Sequence, residues 1–165
     1  MADKDRIIDD IDRDILVIIR KNARVSNVDI ARKVGMAPSA ILERIRKLES
    51  KGVIEAYETR LSPKALGLGL LAFVFVKARD DRAGESRTAQ ALVSIPEILE
   101  VHHVAGEDCF LVKVRTADTE SLGRLLREKF GKIPTITSTR STIVLNTMKE
   151  TAQLPLEPSG SSKPA

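Results

Sequence analysis

Aromatic side chains and cysteine are scarce in this sequence. Its 165 residues include one cysteine, no tryptophan, one tyrosine and four phenylalanines, with aromatics making up 3%. The lone Cys109 excludes an internal disulfide framework and a multi-cysteine zinc finger, and it suits a reducing compartment. So few aromatics offer no stacking platform for single-stranded bases, which argues against an RNA-binding module. The longest apolar run, Leu70–Val76, has seven residues, far short of the ~20 that span a bilayer. The opening Met1–Arg6 is polar and mixed in charge, unlike a secretory signal. A cytoplasmic location with no membrane partner is therefore expected. A phosphate-binding loop, a dinucleotide glycine fingerprint and a nucleophile elbow are all missing. Neither a catalytic site nor a cofactor is expected.

Apolar residues make up 42% of the chain and charged residues 30%, a balance that supports a folded core. The net charge of +4 says little, but its distribution says more. Residues 3–14 carry six aspartates against Lys4, Arg6 and Arg13, whereas residues 20–51 carry nine cations against three anions. A basic block of that density reads either as a phosphate-facing surface or as a solvated helix face.

Three helices are expected over residues 1–60. Ile8, Ile11, Ile15, Ile18 and Ile19 recur at helical spacing. A second helix starts at Ser26, whose hydroxyl can cap it, with Asp29 at the capping-box position and Val25 and Ile30 spaced as a hydrophobic staple. Gly35 is a natural left-handed end for it. Only Gly35-Met36-Ala37 separates it from a third helix that opens on Pro38, a residue suited to the first helical position. Ile41, Ile45 and Leu48 form the apolar stripe of that helix. Ser39, Glu43, Arg46, Lys47 and Ser50 fall on the opposite face, with Ala40 and Arg44 flanking.

Two helices joined by a tight glycine-containing turn make a helix-turn-helix, whose second helix enters the DNA major groove. Ser39, Ala40 and Glu43 are the expected base-edge contacts. Arg44, Arg46 and Lys47 are the expected phosphate clamps. Ala37 precedes Pro38 where a capping side chain would be worth ~1 kcal/mol. Val53-Ile54 and Ala56–Leu61 would form a strand, a small wing.

After the punctuated stretch from Leu61 to Gly67, the chain reads as strand 70–78, helix 85–93, strands 98–104 and 109–116, helix 119–130 and strand 136–148. Turn residues Gly84, Pro96, Gly106 and Pro134 separate these elements. The order βαββαβ is the ferredoxin-like arrangement. A sheet face lined by Leu71, Phe73, Phe75, Leu111 and Val114, together with a long last strand, suggests a dimer. His102 and His103 with Cys109 invite a metal, but neighbouring strand residues point to opposite faces and no further ligand completes a site. Gly106-Glu107-Asp108 is first a hairpin turn, and its amides and carboxylates could also hold a zwitterion. Cys109 reads as a packing residue.

Three stretches resemble the Lrp/AsnC (leucine-responsive, feast/famine) transcription regulators: Ile8 to Leu16, Arg24 to Ile54 across the helix-turn-helix, and Val104-Ala-Gly106-Glu-Asp108-Cys-Phe110. Thr137 to Leu145 resembles the last strand of the family's amino-acid-binding domain, and the match covers about residues 7–150. The resemblance implies an α+β protein with a winged helix-turn-helix domain over 1–60, a linker over 61–69 and a ferredoxin-like effector-binding and oligomerisation domain over 70–150. Residues 151–165, rich in Pro and Ser, are expected to form a disordered tail.

The implied partners are double-stranded DNA with a pseudo-palindromic site, a small amino-acid effector and further copies of the chain, as a homodimer or by resemblance an octamer. The implied effector residues are Val104, Ala105, Gly106, Glu107, Asp108 and Cys109. Cys109 stands where the family's turn carries an aspartate, so Glu107 or Asp108 would have to hold an effector ammonium. An amino-acid-binding regulatory subunit of a metabolic enzyme is the alternative reading, although such a subunit has no need of a groove-reading helix.

Overall fold

A computed structural model of the chain describes residues 7–79 and 85–160. Two compact units divide it: Met1–Thr59 together with Glu150–Ala165, and Arg60–Lys149.

The first unit is built on α1 (Asp10–Lys21), α2 (Asn27–Val34) and α3 (Pro38–Ser50). Asp9 caps α1 reciprocally: its carboxylate accepts from the Asp12 N–H at 2.7 Å, while the Asp12 carboxylate accepts from the Asp9 N–H at 3.3 Å. Two of the amides orphaned at a helix start are thereby satisfied. At α2, Ser26 Oγ accepts from the Asp29 N–H at 3.1 Å and donates its own proton to the Asp29 carboxylate at 2.7 Å. Asp29 therefore bonds the capping hydroxyl and not the Ser26 amide. Gly35 ends α2 at φ +72°, a left-handed value that costs glycine little. Ile15, Ile30, Ala31, Ile41 and Ile45 form the shared core, with Val25 packed at its edge as the staple spacing requires.

Residues 55–62 form no strand, so the expected wing strand over Ala56–Leu61 is not made. A strand needs a partner to receive its backbone groups, and within this chain the segment pairs with none of the four strands. Tyr57 instead donates its phenol hydrogen to Glu49 at 2.9 Å. Burial and the Glu49 carboxylate push its pKa up to about 12.

The second unit holds β1 (Leu70–Ala78), α4 (Glu85–Val93), β2 (Ile98–His103), β3 (Phe110–Thr116), α5 (Thr119–Glu128), a single 3-10 turn (Phe130–Lys132) and β4 (Ile136–Ile143). Gly84, expected in the turn before α4, lies outside the described residues. The sheet is antiparallel with order β2-β3-β1-β4. This is the ferredoxin-like arrangement. One face carries Ala72, Val74, Val76, Phe110, Val112 and Val114, buried with Leu92, Leu122, Leu125 and Phe130 from the helical layer. Val114 therefore belongs to the core and not to the face with Leu71, Phe73, Phe75 and Leu111: it lies three residues from Leu111, and strand neighbours alternate sides. β4 ends at Ile143, earlier than the expected 148.

Residues 153–160 do not trail away. Asp14 accepts from Ser159 twice, from N–H at 2.7 Å and from Oγ at 2.5 Å. Gln153 Nε2 donates to the Arg20 carbonyl at 3.0 Å, and the Arg20 guanidinium donates to the Leu154 carbonyl. The tail expected to be disordered is, through residue 160, a strap along α1. Composition misses this because Pro and Ser form no core of their own, whereas α1 supplies hydrogen-bond partners. Asp14→Ala removes both acceptors. It should raise amide exchange at Ser159 and cost ~1 kcal/mol, as read by hydrogen–deuterium exchange and urea unfolding.

Candidate nucleic-acid interface and effector turn

The exposed face of α3 follows from its stripe. With Ile41, Ile45 and Leu48 buried, the 3.6-residue period turns Ser39, Glu43, Arg46 and Lys47 to solvent, and Ala40 is half-buried at the edge. Ala37 makes no side-chain cap, and Pro38 opens the helix without one. The N-terminal turn of α3 is thus free of a bulky capping side chain, the end that a recognition helix brings to base edges. Arg46 and Lys47 sit about two turns further along.

Arg44 departs from the expected phosphate set. Its Nη1 donates to Asp9 Oδ2 at 2.6 Å and to Asp12 Oδ1 at 2.7 Å, the same two residues that cap α1. Two carboxylates at the start of α1 offer the guanidinium a stronger site than open solvent does. Arg44 therefore braces α3 against α1. Burial raises the Asp9 pKa, but hydrogen bonds from the Asp12 N–H and from Arg44 outweigh it and hold the carboxyl below its ordinary value. The same two carboxylates raise the Arg44 pKa. The pattern of charges in sequence shows basic density but not which cation turns inward, because the partners lie 32 and 35 positions away.

The second candidate site is the turn between β2 and β3. Val104 N–H bonds the Cys109 carbonyl at 3.0 Å, and Cys109 N–H bonds the Val76 carbonyl at 2.9 Å. Gly106 stands at φ +145° at the tip, a conformation that a Cβ would strain. Ala105, Gly106 and Glu107 are exposed, while Val104, Asp108 and Cys109 are half-buried. Cys109 Sγ sits 3.5 Å from both the nitrogen and the carbonyl oxygen of Ala78, and its side chain packs against the sheet core. Its thiol is turned to the packing, which bears out the packing role expected of Cys109.

Asp108 pairs with Arg140 Nη2 of β4 at 3.2 Å. The Arg140 guanidinium carbon lies 4.1 Å from the centroid of the Phe75 ring. Sequence reasoning gave Arg140 no role. The register that sets it opposite Phe75 becomes visible only once β1 and β4 are known to pair. His102 Nε2 lies within hydrogen-bond distance of a Glu100 carboxylate oxygen at 3.2 Å, whereas the His103 ring lies tilted against Phe110 at 5.3 Å between centroids, so the two imidazoles have different neighbours. Among the described residues no cluster could hold a metal ion, and no helix is long and apolar enough to cross a membrane.

A turn-linked helix pair with an exposed basic helix, joined to a ferredoxin-like domain with a built turn at its sheet end, defines a regulator of the DNA-binding, ligand-sensing class. Comparison with known proteins agrees at both ends. Residues 8–55 match the winged helix-turn-helix DNA-binding model, and residues 71–154 match the Lrp/AsnC ligand binding domain. The HTH-type transcriptional regulator FL11 of Pyrococcus furiosus is 38% identical over 151 residues, covering 92% of this chain and 98% of that protein. The leucine-responsive regulatory protein of Escherichia coli is 35% identical over 150 residues, covering 89% and 90%.

Among solved structures, a transcriptional regulator of Neisseria meningitidis in complex with L-methionine superposes with a TM-score of 0.85 at 29% identity, over 90% of this chain and 97% of that one. A feast or famine regulatory protein of M. tuberculosis, also complexed with L-methionine, gives 0.80 at 34% identity over 88% and 97%. The chain belongs to the Lrp/AsnC family and is a DNA-binding transcription regulator.

Arg44→Ala should destabilise the helical unit by about 1–2 kcal/mol, between the worth of an exposed pair and that of a buried one. The Asp9 pKa is lowered on folding, so its contribution is present above the ordinary carboxyl value of 3.8 and disappears as pH falls through the native value. Parent and variant melting curves should therefore draw together as pH falls from about 4 through the lowered native value. Arg46→Ala and Lys47→Ala should leave stability within ~0.5 kcal/mol. Each should reduce the slope of log affinity against log salt by about 1 in DNA titrations.

Proposed function

We propose that the chain acts in the cytoplasm as a homodimer that sets two α3 helices in the major groove of a pseudo-palindromic site and is tuned by a free amino acid. Ser39, Ala40 and Glu43 read base edges, and Arg46 and Lys47 hold phosphates. The observation that carries this reading is the exposed α3 face, which carries Arg46 and Lys47 beside Glu43 and is uncapped at its N-terminal turn, on a helix seated by its buried stripe and braced from behind by Arg44. The protein shifts DNA occupancy and performs no catalytic step of its own.

A second copy is the fitting partner for the sheet face away from the helices. Phe73, Phe75 and Leu111 are only half-buried there, among Lys113, Thr142 and Arg140. An apolar sheet face left to water is uncommon on a monomer. Two-fold pairing through it relates two DNA-binding units by the symmetry a pseudo-palindrome requires. Assembly beyond the dimer rests on the family resemblance. The effector belongs at Val104–Asp108, since L-methionine is bound by two of the similar regulators and the turn carries amides and a carboxylate. The alternative, a regulatory subunit of an enzyme, leaves the basic α3 face without a use.

Light scattering at micromolar concentration should give at least two chains, and a one-chain mass would contradict the assembly. Fragments selected by the pure protein from genomic DNA should share inverted half-sites. Fragments with no common sequence would contradict base reading by α3.

A further inference from the structure

A cavity of about 320 Å³ lies wholly within the second unit. Ser121, Arg124, Leu125 and Lys129 line it from α5, and Leu68, Glu97 and Thr116 line it from the other side. Thr116 pairs with Leu70 at the end of β3 opposite the β2–β3 turn, and Leu125 belongs to the helical layer. The cavity is therefore separate from the effector turn and from the face given to a second copy. Its volume falls in the range of about 300–1,000 Å³ usual for small-molecule sites.

Glu97 gives the cavity its chemistry. Its backbone carbonyl accepts from the Arg115 N–H at 2.9 Å. Its side-chain Oε2 is buried and meets no donor among the described residues. Buried polar atoms are nearly always paired, and a carboxylate oxygen left without a donor is costly. The terminal torsion of a glutamate is broad, so a small rotation turns that oxygen to a ligand N–H. With Arg115 and Glu128, the charged lining counts three cations to two carboxylates, which admits a ligand that also carries an anionic group.

We propose that this cavity is a second ligand site, for a small molecule with N–H donors at one end and a carboxylate or phosphate at the other. Glu97 takes the donors, Arg124 and Lys129 take the anionic group, and Leu68 and Leu125 cover the middle. Arg124 meets Glu120 at 3.9 Å, the outer limit of an ion pair, with its side chain 55% exposed. A ligand anion offers its guanidinium fork a closer partner. Glu97 stands beside the end of β3, and α5 starts three residues beyond Thr116, so Glu97 lies at the Ser121 end. From Ser121 to Lys129 the helix rises about 12 Å. The α-ammonium and α-carboxylate of a free amino acid share one carbon and do not reach both ends. Three extended peptide residues span about 10 Å, and a nucleoside monophosphate has the same two-ended chemistry. Leu68 belongs to the segment that leads into β1, so an occupant touches the stretch of chain joining the two units.

The test is isothermal titration of the full chain with trialanine and with guanosine 5′-monophosphate, each beside its analogue without the anionic group, trialanine amide and guanosine. At least one of the two anions should bind with Kd below about 1 mM, and whichever binds names the source. Its analogue, and the Glu97→Gln and Arg124→Gln variants, should each bind at least about tenfold more weakly, the weight of a lost charge-assisted hydrogen bond. Saturation should slow hydrogen–deuterium exchange over residues 116–129. Unliganded melting curves identify a variant that fails to fold, and the analogue and the exchange map on the parent then decide. Neither anion binding at about 1 mM overturns the site. So does protection confined to residues 104–109, or a folded Glu97→Gln that binds within about twofold of the parent.

Discussion

Arg44 reaches back from α3 to two carboxylates at the start of α1 and braces the packing of the two helices. The apolar core of Ile15, Ile30, Ala31, Ile41 and Ile45 holds the three helices together and sets which face of α3 turns outward. A guanidinium bonded at 2.6 and 2.7 Å is directional. It ties α3 to the very residues that cap α1, so helix start and helix packing share one set of charges. The cations left outward, Arg46 and Lys47, then face a common direction. Acidic density in the first helix and basic density in the third are halves of one device.

The sheet domain divides its two faces by the same economy. Strict alternation sends Ala72, Val74, Val76, Val112 and Val114 under the helices and leaves Phe73, Phe75 and Leu111 on the other side. One of those aromatics, Phe75, also seats Arg140, which joins the open face to the turn at the sheet end. A ligand at the turn and a partner on the face would therefore touch neighbouring residues. That adjacency gives effector binding a route to assembly through differential contacts in two states.

Much of this was legible in the residues because its causes are local. Ser26 as a cap, Gly35 as a left-handed stop, Pro38 as a helix opener and the βαββαβ order each follow from a few adjacent side chains. What escaped depends on distant partners. Arg44 reads as one more surface cation until α1 is folded beside it. Arg140 reads as one polar residue in a threonine-rich strand until β1 brings Phe75 opposite. Ala56–Leu61 has strand composition, but composition supplies no neighbour to bond. Val114 lies under the helices and not beside Leu111, because strands repeat in twos and the two residues stand three apart. The segment through Ser159 has the composition of a loose tail, yet Asp14 gives it two hydrogen bonds.

The central claim is that paired α3 helices read the major groove from one two-fold assembly. Protection of guanine N7 from methylation on a selected fragment tests this most directly, since N7 is reached only through the major groove. The account predicts two protected segments in inverted orientation, one or more helical turns apart on one face of the duplex. Protection confined to the minor groove, or a single unpaired segment, would contradict it.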